Sequence, residues 1–387
     1  MRRRPDANEA SFLGAAPLFR LGCGNWNEGR KSSHLASAVA FVALTWLPLL
    51  VLATCEGPAA AAAFLLRTSD HLRMLVGGPS AILAAPVVGV VLGRVAHHFV
   101  EAGIVRPPQA ASFLGLQKTV AAMSEGRFAR VAALLIAYGG AMLHDANGDW
   151  TRSPTLATLL HSHAKDAWYL WISRPLLDFV LLRWLWRLVA WTTFLFRTSR
   201  LPLALSASHP DRAGGLGFLA QAQASFALVA FVFSVVWTAG WRDRLAAHLT
   251  TTDALKTSLP IFAVALMGLF VGPSIVFVPK LFVLKQRASL AYDRLGIAVC
   301  RRFEQRWLGD ESERQPDGDE ALLATSDISS LADLQTAVGT TRALFPFPTS
   351  KTALASLAVG IALPMVPLVN LVVPLRDLVE RALLPLL

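Results

Sequence analysis

The sequence predicts an all-α protein: a polytopic bundle of about seven transmembrane helices, N-terminus inside and C-terminus outside, with a helical cytoplasmic insertion before the last span. Three observations lead there. Apolar runs of about 20 residues recur along the chain, the length an α-helix needs to cross a hydrocarbon core of ~30 Å. Of the 387 residues, 54% are apolar and the mean hydropathy is +0.48, too apolar for a soluble chain of this size, which needs charge to cover its surface. Arginine and lysine sit mostly between the runs, and more of them on one side than on the other.

Taken in order, residues 1–34 read as a cytoplasmic arm. Met1-Arg2-Arg3-Arg4 is basic, but the first apolar run starts only near Leu35. Residues 5–33 mix Gly, Asn, Arg and Glu without periodicity, so no cleavable signal is expected, and Ser11–Leu21 suits the membrane surface. The clearest spans are 35–54, 74–93, 175–196, 215–240, 259–283 and 352–373, and a weaker one covers about 129–145. The apolar part of that weak span, Val131–Leu143, reaches only about 20 Å at 1.5 Å per residue, so it reads either as a full crossing or as re-entrant.

Charge favours the crossing. With seven spans and the N-terminus inside, 24 basic residues fall inside against 10 outside, Arg183 and Arg187 being within a span. Without the weak span, the loop 280–351 moves outside and the bias nearly disappears. Trp150, Trp168, Trp171, Trp237 and Trp241 then fall at outer span ends, where indoles prefer to sit.

The bundle thus occupies 35–284. Residues 94–130 read as an inner loop with helical patches, and 144–174 as an outer loop rich in His, Asp and Trp. The cytoplasmic insertion 285–351 opens with a helix over Lys285–Leu308. It crosses an acidic linker at 309–320 and resumes as a helix over Ser326–Arg342, with Ser326 and Ser330 as alternative caps. Residues 374–387 form an amphipathic stretch too short to span, suited to the outer interface.

A pI of 10.1 raises the question of nucleic acid, but no basic stripe interleaved with aromatics is present. The basicity serves orientation and anionic lipid headgroups. Cys23, Cys55 and Cys300 lack CxxC spacing, so neither a disulfide framework nor a thiolate metal site follows. No cofactor is expected.

The sharpest anomaly is Arg183-Trp-Leu-Trp-Arg187 in the fourth span. The arginines share one helix face at i and i+4, and an arginine at membrane depth is costly unless it meets a carboxylate, a carbonyl or water. Two readings stay open: a cationic lining for an anion path or anionic lipid cleft, and a structural pair that snorkels or bonds carbonyls. Asp178 sits better against Arg174, one turn back.

A second constellation is Ser208-His209-Pro210-Asp211-Arg212-Ala213-Gly214-Gly215-Leu216-Gly217-Phe218. Ser208-x-x-Asp211 resembles a capping box, and the glycine amides at a helix start suit an anion, with His209 and Arg212 as donors. The competing reading is a helix cap with glycines admitting a close neighbour. His144, His161, His163 and Asp166 form a weak metal-ligand set without helix-borne i, i+4 spacing. Proline pairs interrupt the second (Pro79, Pro86), sixth (Pro273, Pro279) and seventh (Pro364, Pro367) spans, with Asn370 in the last, and such breaks are tolerated at membrane depth beside protein or water. Gly89-x-x-x-Gly93 and Gly268-x-x-x-Gly272 are close-packing motifs.

Three stretches, Ser208–Phe218, Ser326-Asp-Ile-Ser-Ser-Leu-Ala-Asp-Leu334 and Arg183–Arg187, resemble an uncharacterised group of bacterial polytopic inner-membrane proteins with an HPD-[KR]-AGGLGFL motif. The likeness covers most of 168–387, although Leu344-Phe-Pro-Phe-Pro348 departs from that group's basic-Pro-x-Pro-Phe wording. It implies a multi-pass protein of the bacterial inner membrane and brings no activity with it. The preferred function is channel- or transporter-like with a bias toward anions. The alternatives are a scaffold or sensor acting through 285–351 and a lipid-directed membrane enzyme. Expected partners are membrane lipids, an anionic solute or lipid headgroup, and a second copy of the chain, but not nucleic acid.

Overall fold

The computed structural model describes residues 31–146, 164–307 and 326–372. The N-terminal arm before Lys31, most of the outer loop, the acidic linker and the stretch after Val372 lie outside the described residues, together with the expectations placed on them. Every described regular element is helical.

Helices α1 (Lys31–Thr45) and α2 (Leu47–Glu56) continue one another across Trp46, whose N–H donates to Val42 O and whose carbonyl accepts from Leu50 N–H. Gly57, at φ 121°, turns the chain into α3 (Pro58–Leu66). Then come α4 (Thr68–His71), a π-helical turn (Leu72–Gly77) and α5 (Gly78–Glu101). Helices α6 (Ala110–Glu125) and α7 (Arg127–Ala146) meet at Gly126. After the undescribed stretch, α8 (Ala164–Trp168) leads through a second π-helical turn (Tyr169–Ser173) into the 26-residue α9 (Arg174–Ser199). The loop 200–218 precedes α10 (Leu219–Ser225), α11 (Ala227–Ala246) and α12 (Thr252–Val271). A 3-10 turn (Gly272–Phe277) joins α12 to α13 (Val278–Trp307), and α14 (Ser326–Arg342) packs back on α13. The last described helices are α15 (Lys351–Ala362) and α16 (Val366–Val372), separated by a 3-10 turn at Leu363–Met365.

Among the described residues, six helical stretches are long and apolar enough to cross a membrane: His34–Glu56, Thr68–Glu101, Ala164–Ser199, Leu219–Ala246, Thr252–Gln305 and Lys351–Val369. They coincide with the six clear runs of the sequence, and such a set is that of a multi-pass membrane protein. Helix α7 is the weak run. It has 20 residues, about 30 Å of helix, and packs Ala129, Ala133 and Ala137 inward while Phe128, Val131, Leu135 and Ile136 stay exposed.

Backbone irregularities fall where proline removes a donor or fixes φ. Pro107, Pro273 and Pro364 lie in the three 3-10 turns among the described residues (the first being Pro107–Gln109), and Pro279 opens α13. Pro86 is accommodated inside α5. Residues 94–130, expected as an inner loop with helical patches, hold the end of α5 and α6, which packs into the core. Phe113 of α6 meets Phe99 and Phe194 at ring-centroid distances of 5.9 and 5.7 Å. These rings, with Leu92, Leu195, Phe226 and Phe277, form a fully buried centre. Outward-facing positions stay apolar, as Val87, Ile261, Val264 and Val359 show.

Three glycines of the GxxxG pairs leave open space while another glycine marks a close helix approach. A Cβ on Gly93, Gly268 or Gly272 would meet nothing within 4 Å, whereas one on Gly360 would strike the carbonyl of Ala227, where α15 crosses α11.

Cross-links define two ends. One end gathers Thr45, Trp46, His71, Arg73, Tyr169, Ser173 and Asp243. The opposite end gathers Ile104, Leu201, Ala204, Arg212, Lys280, Leu344 and Phe345, with Ala204 N–H donating to Ile104 O and Phe345 N–H to Arg212 O. Helices α5 and α9 both run from the first end to the second, so the fold carries its arginine face midway along the bundle.

Candidate functional site

Midway along α9, Arg183, Trp184 and Arg187 face a cavity of about 260 Å³. Its other walls are His34 and Ser37 of α1, Ala81, Ile82 and Ala85 of α5, Phe179 and Val180 of α9, Glu125 at the end of α6, and Arg130 of α7. Ser37 and Arg130 are exposed, so the cavity opens between α1 and α7.

The break between α6 and α7 explains half of the arginine pair. The last turn of a helix leaves carbonyls without intrahelical donors, and here three side chains supply them. Trp186 Nε1 donates to Met123 O at 3.0 Å, Arg183 Nη1 to Ser124 O at 3.0 Å, and Arg130 Nη2 to Glu125 O at 3.3 Å. Cations are favoured at a helix C-terminus, and Arg183 serves as such a cap.

Arg187 does not. It is 4% exposed, and its Nε and Nη2 are buried without a hydrogen-bond partner. Its guanidinium lies over the indole of Trp184, 5.0 Å from the ring centroid, and Trp184 is held by its own Nε1 donating to Ala81 O at 3.0 Å. A buried charge with unmet donors is costly unless something anionic or polar meets it. The two readings that the sequence left open therefore divide between the two residues.

The 208–217 loop lies at the other end of α9, outside this cavity, and the structure does not bring the two predicted constellations together. Within the loop the anion is internal. Asp211 Oδ1 accepts from Ala213 N–H at 2.9 Å and Gly215 N–H at 3.1 Å, and Oδ2 accepts from Gly217 N–H at 2.8 Å. His209 Nδ1 stands 2.8 Å from Oδ1. The capping-box pattern is not formed, because the helix begins only at Leu219 and Asp211 caps the loop's own amides. Arg212 (φ 54°), Gly214 (φ 68°) and Gly215 (φ 93°) take left-handed backbone. A Cβ on Gly214 would press Leu281 and Leu284 of α13. The amides of Gly215 and Gly217 are thus committed, while His209 and Arg212 are exposed.

Burial works against ionisation of Asp211, but the amides of Ala213, Gly217 and Gly215 and the His209 ring outweigh it and hold the carboxyl below the usual range. A depressed carboxylate stabilises the fold above the ordinary carboxylate range and loses that contribution as pH falls through its folded value. Asp211→Ala should lower stability by about 2 kcal/mol near neutral pH, measured by thermal unfolding. The difference from wild type should be flat between about pH 5 and 8 and shrink only below about pH 4.

The sequence reading missed a second buried cluster. Arg73 Nη1, in the first π-helical turn, lies 2.6 Å from Asp243 Oδ2 of α11 and 3.6 Å from Asp70 Oδ1 of α4, and donates to Tyr169 OH at 3.4 Å. Tyr169 sits in the second π-helical turn, so both π segments meet here; such turns recur at functional sites. Gln223 was missed too. Its amide donates to Ser274 Oγ and Pro348 O and accepts from Thr349 Oγ1, which ties α10 to two loops.

His161 and His163, and the side chain of His144, lie outside the described residues, and Asp166 is on α8. Among the described residues, no three His, Cys, Asp or Glu side chains gather to hold a metal. Asp178 pairs with Arg174 at 3.0 Å, as its spacing indicates. Comparison with protein-family models, with curated proteins and with solved structures returns no match.

Proposed function

We propose that the chain is a multi-pass protein of the bacterial inner membrane that binds anions in the α1–α5–α7–α9 cavity and passes them through the bundle. The observation that carries this is the buried, unpartnered Nε and Nη2 of Arg187 beside a cavity where three arginines, Arg130, Arg183 and Arg187, face one carboxylate, Glu125. The helix break at Gly126 supports it, since discontinuous helices at membrane depth commonly flank ion and substrate sites. The full arrangement is seven spans, N-terminus inside. The length of α7 and its exposed large apolar side chains support counting that helix as a span, and the distribution of basic residues supports the orientation.

Purified protein in proteoliposomes tests it. Arg187→Leu should abolish anion flux while the protein melts at or above the wild-type temperature, because a buried charge is removed. Unchanged flux, or loss of the folded protein, contradicts the assignment.

A second reading draws on α13, where Leu290, Leu295 and Ile297 are exposed beyond the apolar span. They suit a scaffold that docks a partner on the insertion, which would leave Arg187→Leu without effect on function.

A further inference from the structure

We propose that the ligand of the Arg187 cavity is an amphiphilic organic monocarboxylate, with both carboxylate oxygens on one edge of Arg187 and a small apolar body against α5 and α9. This rests on the anion reading of the same cavity and adds the class of anion.

The geometry of the unpartnered atoms selects the headgroup. Nε and Nη2 are neighbours on one edge of a planar guanidinium and are closed off from solvent here; turned toward the cavity, that edge takes two oxygens of one carboxylate side by side. A spherical halide cannot use both donors along their own directions. The guanidinium lies over Trp184, itself fixed to Ala81 O, while its neighbour Arg183 is tied to Ser124 O.

The walls select the body. Ile82, Ala85, Phe179 and Val180 give the cavity an apolar wall on α5 and α9 that an inorganic anion would leave unused. At about 260 Å³, the cavity exceeds the needs of a small ion and falls just below the ~300–1,000 Å³ of sites for drug-sized ligands. A small aryl or branched alkyl group suits that space. Glu125 lines the same cavity, so a second negative charge on the ligand would be repelled.

The test is calorimetric titration of the full chain in phosphatidylcholine nanodiscs with phenylacetate, acetate, benzyl alcohol, chloride and inorganic phosphate. Phenylacetate should bind about tenfold or more tighter than acetate, which lacks the body, and than benzyl alcohol, which lacks the charge. Arg187→Lys keeps the charge but loses the two-donor edge. It should weaken phenylacetate about tenfold with the melting temperature unchanged. Glu125→Gln should tighten it several-fold.

Chloride or phosphate binding that depends on Arg187, without phenylacetate binding, overturns the carboxylate proposal and leaves the anion reading standing. No binding by any probe overturns both. Phenylacetate binding indifferent to Arg187→Lys, or to Glu125→Gln, places the site elsewhere and overturns the proposal. Phenylacetate displaced on changing the nanodisc to phosphatidylglycerol assigns the edge to a lipid phosphate instead.

Discussion

Arg73→Met is expected to destabilise the protein by about 3–5 kcal/mol. Asp70 and Arg73 are 7% and 6% exposed, so removing the guanidinium leaves a buried carboxylate with its nearest cation gone. Asp243, whose side chain is 34% exposed, can turn to solvent, but Asp70 cannot. The double change Asp70→Asn with Arg73→Met removes both charges and should recover a good part of the loss, since a buried pair replaced as a whole is often neutral. Thermal unfolding in detergent reads both. A wild-type melting temperature for Arg73→Met would show that the cluster does not hold α4, α11 and the two π-helical turns together.

Gly360→Ala is the second large effect, and its sign is diagnostic. Inside an exposed helix, Ala in place of Gly stabilises by about 1 kcal/mol. At Gly360 the added methyl would run into the backbone carbonyl of Ala227, and a backbone oxygen cannot rotate away as a side chain can. Helix α15 must shift from α11, whose packing includes Leu357 and Ile361. Overpacking of this kind costs about 1–3 kcal/mol, so the net change should be destabilising. Gly268→Ala is the matched control, with nothing within 4 Å of its Cβ, and should be neutral or stabilising. Equal behaviour of the two variants would mean that α15 and α11 do not approach as closely as described.

These two sites also show what the sequence could and could not reveal. The spans were legible because each is a local apolar run, and α13 and α14 occupy the stretches expected to be helical on either side of the acidic linker. The shared face of Arg183 and Arg187 followed from their spacing alone. Their division of labour did not, because it depends on where α6 ends, and Ser124 lies 59 positions before Arg183. Asp70, Arg73, Tyr169 and Asp243 come from three separate segments, and each reads singly as an ordinary polar span end. The loop 208–217 was recognised as an amide nest, but its occupant lay within the same motif. Asp211 fills the nest by folding back over four to six residues. At Gly93, Gly268 and Gly272 the GxxxG spacing was a misleading signal: spacing marks where helices could approach, while Gly360, outside any GxxxG pair, marks where two of them do.

The buried, unpartnered edge of Arg187 is proposed as an anion site inside a membrane bundle. The most direct measurement is an experimental structure of the full chain in lipid nanodiscs with 4-iodophenylacetate, whose iodine marks the apolar end. The expected result is density bridging Nε and Nη2 of Arg187, with the iodine against Phe179 and Ile82. A guanidinium sealed by protein carbonyls or carboxylates, with no density in the cavity, would contradict the account.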